Sequence, residues 1–289
     1  MTISDITRVC VVGGGAMGGG IAHVFAQKGF EVTLVEATKE LAEKALAAIS
    51  KNMDRQVAKG IISASDKDAA LGRLKTATAV GEAGDFHFAV EAVSERLDLK
   101  KQVFRDLDAA AAPGAILATN TSSLPIAEIA SAVKDPSRVI GMHFMNPVPV
   151  MKLVEIVRGR LTSQDTYEAT DALARSLGKT PAVAKDCPGF ISNRVLMPMI
   201  NEAISCLHEE VSSKEDIDTI MKLGMAHPMG PLALADHIGL DVCLAIMEVL
   251  HQGYADSKYR PCPLLRQMVA AGRLGVKSGA GFYDYPPKK

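Results

Sequence analysis

The chain is 289 residues long, 48% hydrophobic and close to neutral, with 32 Lys plus Arg against 33 Asp plus Glu and a formal net charge of −1. That length accommodates two domains of ~100–200 residues with a buried core, and the charge balance excludes a global field that would recruit nucleic acid or an anionic membrane. Five cysteines, odd in number, widely spaced and without a C-x-x-C pair, argue against a disulfide framework and against a zinc site. No run approaches ~18 apolar residues, and neither an Arg-rich presequence nor a secretory apolar segment precedes the first strand, so a soluble cytoplasmic protein without a metal centre is expected.

Arg8–Val12 is a β-branched run that reads as a strand, followed by Gly13-Gly14-Gly15-Ala16-Met17-Gly18 and an amphipathic helix through Lys28. Gly13, Gly15 and Gly18 stand at G-x-G-x-x-G spacing, for a tight turn, close approach of a pyrophosphate and packing of helix on strand. Gly29 closes the helix, Glu31–Val35 forms a second strand, and Glu36 ends it twenty-three positions after Gly13. An acid there grips ribose hydroxyls and repels a 2′-phosphate, which favours NAD over NADP. Leu41, Ala45, Ile49, Met53 and Val57 then mark a helix of about twenty residues, and Ser63–Asp66 resembles a capping box opening a second helix to Leu74. The two are expected to form a hairpin projecting from the sheet. Its Lys51, Arg55 and Lys59 read either as a solvated face or as a basic arm for an anionic ligand tail.

Asp85–Val93 reads as the next buried strand, with Glu95 and a helix from about Asp98 to Ala112 behind it. Loops after strand ends in such sheets face the ligand, which makes Glu95 and Lys100 candidate cofactor contacts or, alternatively, a loop ion pair. After strand 115–118, Thr119-Asn120-Thr121-Ser122-Ser123 offers either a helix cap or a hydroxyl aimed at the ligand crevice. Strands at 138–142 and 153–157 flank the turn from His143 to Glu155, joining an imidazole to a carboxylate. Such a pair fixes the His tautomer and stabilises its protonated form, leaving the other ring nitrogen for substrate; a mutually satisfied surface pair is the competing reading. A helix at 164–177 and a strand at 180–184 follow. Beyond Asp186 the pattern is helical only, at 191–207, 213–223, 232–254 with a break near Gly239, and 264–271, placing the domain boundary between residues 1–186 and 187–289.

Taken together, Gly13 to Ile21, Asn120-Thr121-Ser122-Ser123-Leu124, His143 to Glu155, Asp186-Cys187-Pro188-Gly189-Phe190-Ile191-Ser192-Asn193-Arg194, Lys214 to Asp241 and Val276 to Tyr283 resemble the L-3-hydroxyacyl-CoA dehydrogenase family, most closely its short 3-hydroxybutyryl-CoA members. The resemblance implies an α/β Rossmann-type domain with an inserted helical hairpin, then an all-α C-terminal domain that completes the substrate site and forms a homodimer. It implies reversible NAD-dependent oxidation of a 3-hydroxyacyl-CoA, with His143 as general base, Glu155 as its partner, and Ser122 and Asn193 on the substrate. Cofactor contacts carry over to Gly13, Gly15, Ala16, Met17, Gly18, Glu36, Glu95, Lys100, Asn146 and Lys277, and a CoA contact to Lys59. Relatives with Asp in place of Glu36, and Ser in place of Asn52, mark two departures. A dehydrogenase of a free hydroxy acid or sugar acid on the same scaffold is the alternative, and a non-catalytic NAD(H)-binding protein a more distant one.

Overall fold

The computed structural model describes residues 3–285, and the chain divides into two compact units, residues 1–186 and 187–289. In the first, strands β1 (Arg8–Val12), β2 (Glu31–Val35), β3 (Leu74–Ala77), β4 (Phe88–Glu91), β5 (Ile116–Thr119), β6 (Val139–Phe144), β7 (Leu153–Arg158) and β8 (Thr180–Lys185) form one sheet of order β3-β2-β1-β4-β5-β6-β7-β8. All neighbours run parallel except β6 and β7. The chain leaves β1 towards β2 on one side and returns to β4 on the other, so a crevice opens between the carboxyl ends of β1 and β4, where doubly wound sheets bind ligands.

Strand periodicity divides the sheet's residues between its two faces. Val9 and Val11, Phe88 and Val90, Ile140 and Met142, and Val154 and Ile156 share one core with Ile21 and Phe25 of helix α1 (Ala16–Gln27), Ile49 and Met53 of α2 (Lys39–Ala58), Ala70 of α3 (Ala64–Gly72), and Leu173 and Leu177 of and beside α6 (Gln164–Ser176). The alternate residues, among them Glu91, Thr119, Gly141, His143 and Glu155, lie on the opposite face. There α4 (Leu97–Ala110) packs on β4 and β5, and α5 (Ile126–Ala130) packs on β6. Every polar group of the sheet that matters for chemistry is therefore on the α4–α5 side.

Three sequence expectations need correction. The hairpin's second helix, expected to reach Leu74, stops at Gly72, and Leu74–Ala77 forms a strand, β3, that pairs with β2 and that no expectation placed; its mixed Leu-Lys-Thr-Ala sequence carries no run that marks a strand, and only the exposed edge of β2 makes it one. The strand expected over 85–93 is ordered as a ladder only over Phe88–Glu91. The α2–α3 hairpin, whose second helix opens with the capping box of Ser63 and Asp66, does not stand clear of the sheet: Ala42, Ala45, Ile49 and Met53 are buried on one face of α2, while its opposite face and the far end around Lys59 are exposed.

His23 on α1 is buried, its Nε2 meets Oε1 of Gln56 on α2 at 3.2 Å, and its Nδ1 has no hydrogen-bond partner among the described residues. Burial, with the charge of Lys179 adding to it, lowers its pKa from the usual 6.5. A depressed histidine favours the fold above the unfolded pKa and loses that contribution as pH falls through the folded one. Thermal melts from pH 7.5 to 5.5 are therefore expected to show a declining melting temperature, with a shallower decline in His23→Gln; parallel slopes would refute the assignment.

In the second unit α7 (Ser192–His208) runs through Pro198, followed by α8 (Lys214–Gly224), α9 (Pro231–Ile238), α10 (Leu240–Tyr254) and α11 (Pro263–Ala270). Met197, Ile200, Ile204, Leu232, Leu250 and Leu265 build its core. No described helix is long and apolar enough to cross a membrane.

Candidate active site

The glycine loop sits where β1 meets α1. Gly13 has φ +94°, and a Cβ there would lie 2.8 Å from the Ala92 carbonyl oxygen at the end of β4. At Gly18 a Cβ would lie 1.7 Å from the Gly13 carbonyl oxygen, so any side chain would push α1 off the strand. Gly15 is the N-cap of α1 and faces open space, with Ala16 also exposed and Met17 half-buried. Unsatisfied amides at this helix start form a site for an anionic pyrophosphate. Glu36 follows β2, and its Oε1 accepts the Gly14 amide while Oε2 accepts that of Ala37 at 3.1 Å. A cleft of about 1080 Å³ extends from this loop past Glu36, Val93 and Ser94. The shape and donor set fit a dinucleotide, with Glu36 oriented by the loop it flanks.

The next strand end carries a buried charge network. Lys100 on α4 is 1% exposed and Glu91 on β4 is 0% exposed. The Lys100 ammonium reaches Glu91 at 2.8 Å and Glu95 at 3.2 Å, and donates to the Val93 carbonyl at 3.3 Å. Glu91 also accepts the Val93 amide and the Thr119 hydroxyl, both at 2.7 Å. Glu95 in turn accepts the Thr121 hydroxyl, the amides of Ser122 at 3.0 Å and Ser123 at 3.2 Å, and the Ser123 hydroxyl at 3.1 Å. Burial opposes the charge on Glu95, but Lys100 and the donors of Thr121 and Ser122 outweigh it, so its pKa is lowered. Lys100 thus serves the protein's own carboxylates, and Glu95 organises the turn that presents Ser122.

Asn120 links that turn to the next strand, because its Oδ1 accepts the amide of Phe144 at 2.9 Å. The antiparallel run of β7 places its early residues beside the carboxyl end of β6, and the register sets His143 opposite Glu155. Directly opposed residues project from the same face. Here His143 Nδ1 and Glu155 Oε2 are 3.1 Å apart, with 8% and 3% exposure. The Nδ1–H tautomer donates to Glu155 and leaves Nε2 as the basic nitrogen on the other side of the ring. Asn146 lies two residues past β6, exposed, and joined to Pro147 by a cis bond. The first unit therefore brings together the glycine loop, the Ser122 turn and the His143–Glu155 pair along one end of the sheet.

In the second unit, Asn193 lies in the first turn of α7, 9% exposed. Lys277 sits in the short helix Val276–Ser278, paired to Asp241 at 2.5 Å. Burial works against the Asp241 charge, but the hydrogen bond and charge of Lys277 prevail and lower its pKa. Lys59 is the exposed C-cap of α2.

Residues 8–187 match the family model for the 3-hydroxyacyl-CoA dehydrogenase NAD binding domain, and residues 189–285 match that of the 3-hydroxyacyl-CoA dehydrogenase C-terminal domain. The chain belongs to this family. It is 53% identical to a probable 3-hydroxybutyryl-CoA dehydrogenase of Bacillus subtilis over 98% of this chain and 99% of that one. It is 50% identical to a 3-hydroxybutyryl-CoA dehydrogenase of Bradyrhizobium diazoefficiens over 97% and 96%. The crystal structure of (S)-3-hydroxybutyryl-CoA dehydrogenase from Ralstonia eutropha superposes with a TM-score of 0.95 at 46% identity, covering 97% of this chain and 99% of that one. The chain is thus an NAD-dependent dehydrogenase, and its fold and cofactor class agree with the resemblance drawn from its motifs.

Sequence reasoning passed over Glu91 and did not give Thr119 its role as a donor to that carboxylate. The available signal was a carboxylate at the end of the otherwise apolar Phe88-Ala89-Val90-Glu91, since a charge in a strand buried on both faces demands a partner.

Proposed function

We propose that the protein oxidises (S)-3-hydroxybutyryl-CoA to acetoacetyl-CoA reversibly with NAD, and that the cross-strand pair of His143 and Glu155 is its acid/base centre. The observation that carries this reading is the 3.1 Å contact between Nδ1 and Oε2 on the sheet that holds the glycine cradle; the names of the relatives support the four-carbon acyl group. NAD, held by the Gly13–Gly18 loop and Glu36, would supply the acceptor for the hydride that leaves C3. His143 Nε2 takes the proton of the 3-hydroxyl, and Glu155 stabilises the imidazolium that results. In reverse the imidazolium returns that proton to the carbonyl oxygen. Ser122, its amide anchored on Glu95, and Asn193 serve as hydrogen-bond partners of the substrate oxygens. Gly13, Gly15, Ala16, Met17 and Gly18 cradle the pyrophosphate, Glu36 takes the ribose, and Glu95, Lys100, Asn146 and Lys277 complete the cofactor's surroundings, Lys100 acting through Glu95.

Residues 187–289 are assigned to substrate-site completion and homodimer formation. Exposed Ile220, Leu223 and Met225 at 58%, 81% and 60% supply an apolar surface of the kind a partner subunit covers. A cytoplasmic location suits the free cysteines.

NADH consumption measured with acetoacetyl-CoA, free acetoacetate and a sugar keto acid tests the substrate class, with rapid turnover expected only for the thioester. Lys59→Ala is expected to raise KM for acetoacetyl-CoA about 5- to 10-fold with kcat nearly unchanged, as loss of a charge-assisted contact uniform to ground and transition states does. Equal turnover of free acetoacetate would overturn the CoA reading.

A further inference from the structure

We propose that Lys179 is a positioning residue for the active centre, holding segment 145–152, which joins His143 to Glu155, through two of its backbone carbonyls. The inference rests on the function proposed above, in which Asn146 on this segment contacts the cofactor. β6 ends at Phe144 and β7 begins at Leu153, so the intervening backbone has no ladder partner. Its own turn is local, with the amides of Val150 and Met151 both donating to the Pro147 carbonyl at 3.0 and 2.9 Å. The ties from elsewhere come from the start of β8. Lys179 Nζ donates to the carbonyls of Val148 and of Met151, the latter at 2.8 Å, and the Thr180 amide donates to that of Lys152 at 2.8 Å. On the other side Val148, 1% exposed, packs against α1, where a Cβ on Gly20 would lie 2.9 Å from the Val148 Cβ.

Lys179 is 9% exposed, and among the described residues no carboxylate comes within ion-pair distance of it. Burial and the neighbouring Lys28 lower its pKa. An ammonium so placed is costly, and a methylene chain of equal length would fill the space more cheaply. What only the ammonium supplies is a pair of donors to this segment, one to the carbonyl of buried Val148 and one to that of the more exposed Met151. Removing them leaves the oxygen of buried Val148 without its donor and frees the segment to shift, and displacements near 1 Å at a reacting centre lower rates strongly.

The test compares Lys179→Met with the wild type. A fall in kcat of about 10- to 100-fold is expected from misplacement of the centre, with weakened NADH binding by fluorescence titration and faster amide exchange at Val150 and Met151 in the cofactor-free protein. KM for acetoacetyl-CoA is expected to change less than the NADH affinity. Lys28→Met, which removes the neighbouring charge but no donor to the segment, is expected to leave kcat unchanged. Lys179→Gln keeps one amide donor and decides the matter if Lys179→Met does not fold; intermediate kinetics support the proposal. A folded Lys179→Met with wild-type kcat and NADH affinity overturns it, as does a lowered melting temperature with unaltered kinetics. Should His143→Gln retain turnover while Lys179→Met still loosens the segment and NADH binding, the acid/base assignment fails and the positioning role stands.

Discussion

Replacing His143 by Gln is expected to lower kcat for acetoacetyl-CoA reduction about 10²–10⁴-fold, the usual contribution of a general acid/base. Glutamine keeps a polar side chain of similar reach opposite Glu155 but offers no nitrogen that exchanges a proton near neutrality. Because the glycine cradle of Gly13, Gly15 and Gly18 is built by β1 and α1 and not by β6, the affinity for NADH is expected to stay within about twofold, the pattern of a group that acts in the transition state alone. Stopped-flow reduction and an NADH fluorescence titration on the same preparation separate the two quantities. Turnover within tenfold of wild type would remove His143 from the chemistry.

The second large effect concerns stability. Lys100→Met is expected to cost about 3–5 kcal/mol, because it leaves the fully buried Glu91 without the ammonium that neutralises it. The loss comes from the stranded carboxylate and not from the intrinsic strength of the pair, so adding Glu91→Gln to the same chain should recover part of it. Urea denaturation of wild type, single and double variants gives the coupling directly. A single variant as stable as wild type would show that the network contributes nothing net. The same substitution should reduce activity, since Glu95 would lose its cation while still holding the Ser122 and Ser123 amides.

Much of the first unit was legible because local chemistry and tertiary role coincide there. Gly13 and Gly18 are glycine because a Cβ at either would collide with backbone, and their spacing announces that geometry. The 20-residue α2 declared itself by apolar residues every fourth position and by Gly60. β3 did not, since a four-residue edge strand with two exposed central residues gains its identity from β2 alone. The charge network was legible only in part, as the Glu95–Lys100 ion pair. Glu91 and Thr119 join it because β4, β5 and α4 stack on one face of the sheet.

The His143–Glu155 pair marks the boundary between the two kinds of information. By itself the sequence determined that an imidazole and a carboxylate flank a proline-punctuated turn, downstream of a dinucleotide-binding glycine loop, in a chain whose motifs place it in one dehydrogenase family. It could not determine that β7 runs antiparallel to β6 in the register that opposes those two residues, nor that a buried ammonium from the start of β8 holds the turn between them. Pattern and spacing record which residues are present and which face of an element they share. Strand direction, register and the partners of buried charges arise from contacts between distant segments, where the cost of an unpaired polar group in the interior selects one arrangement.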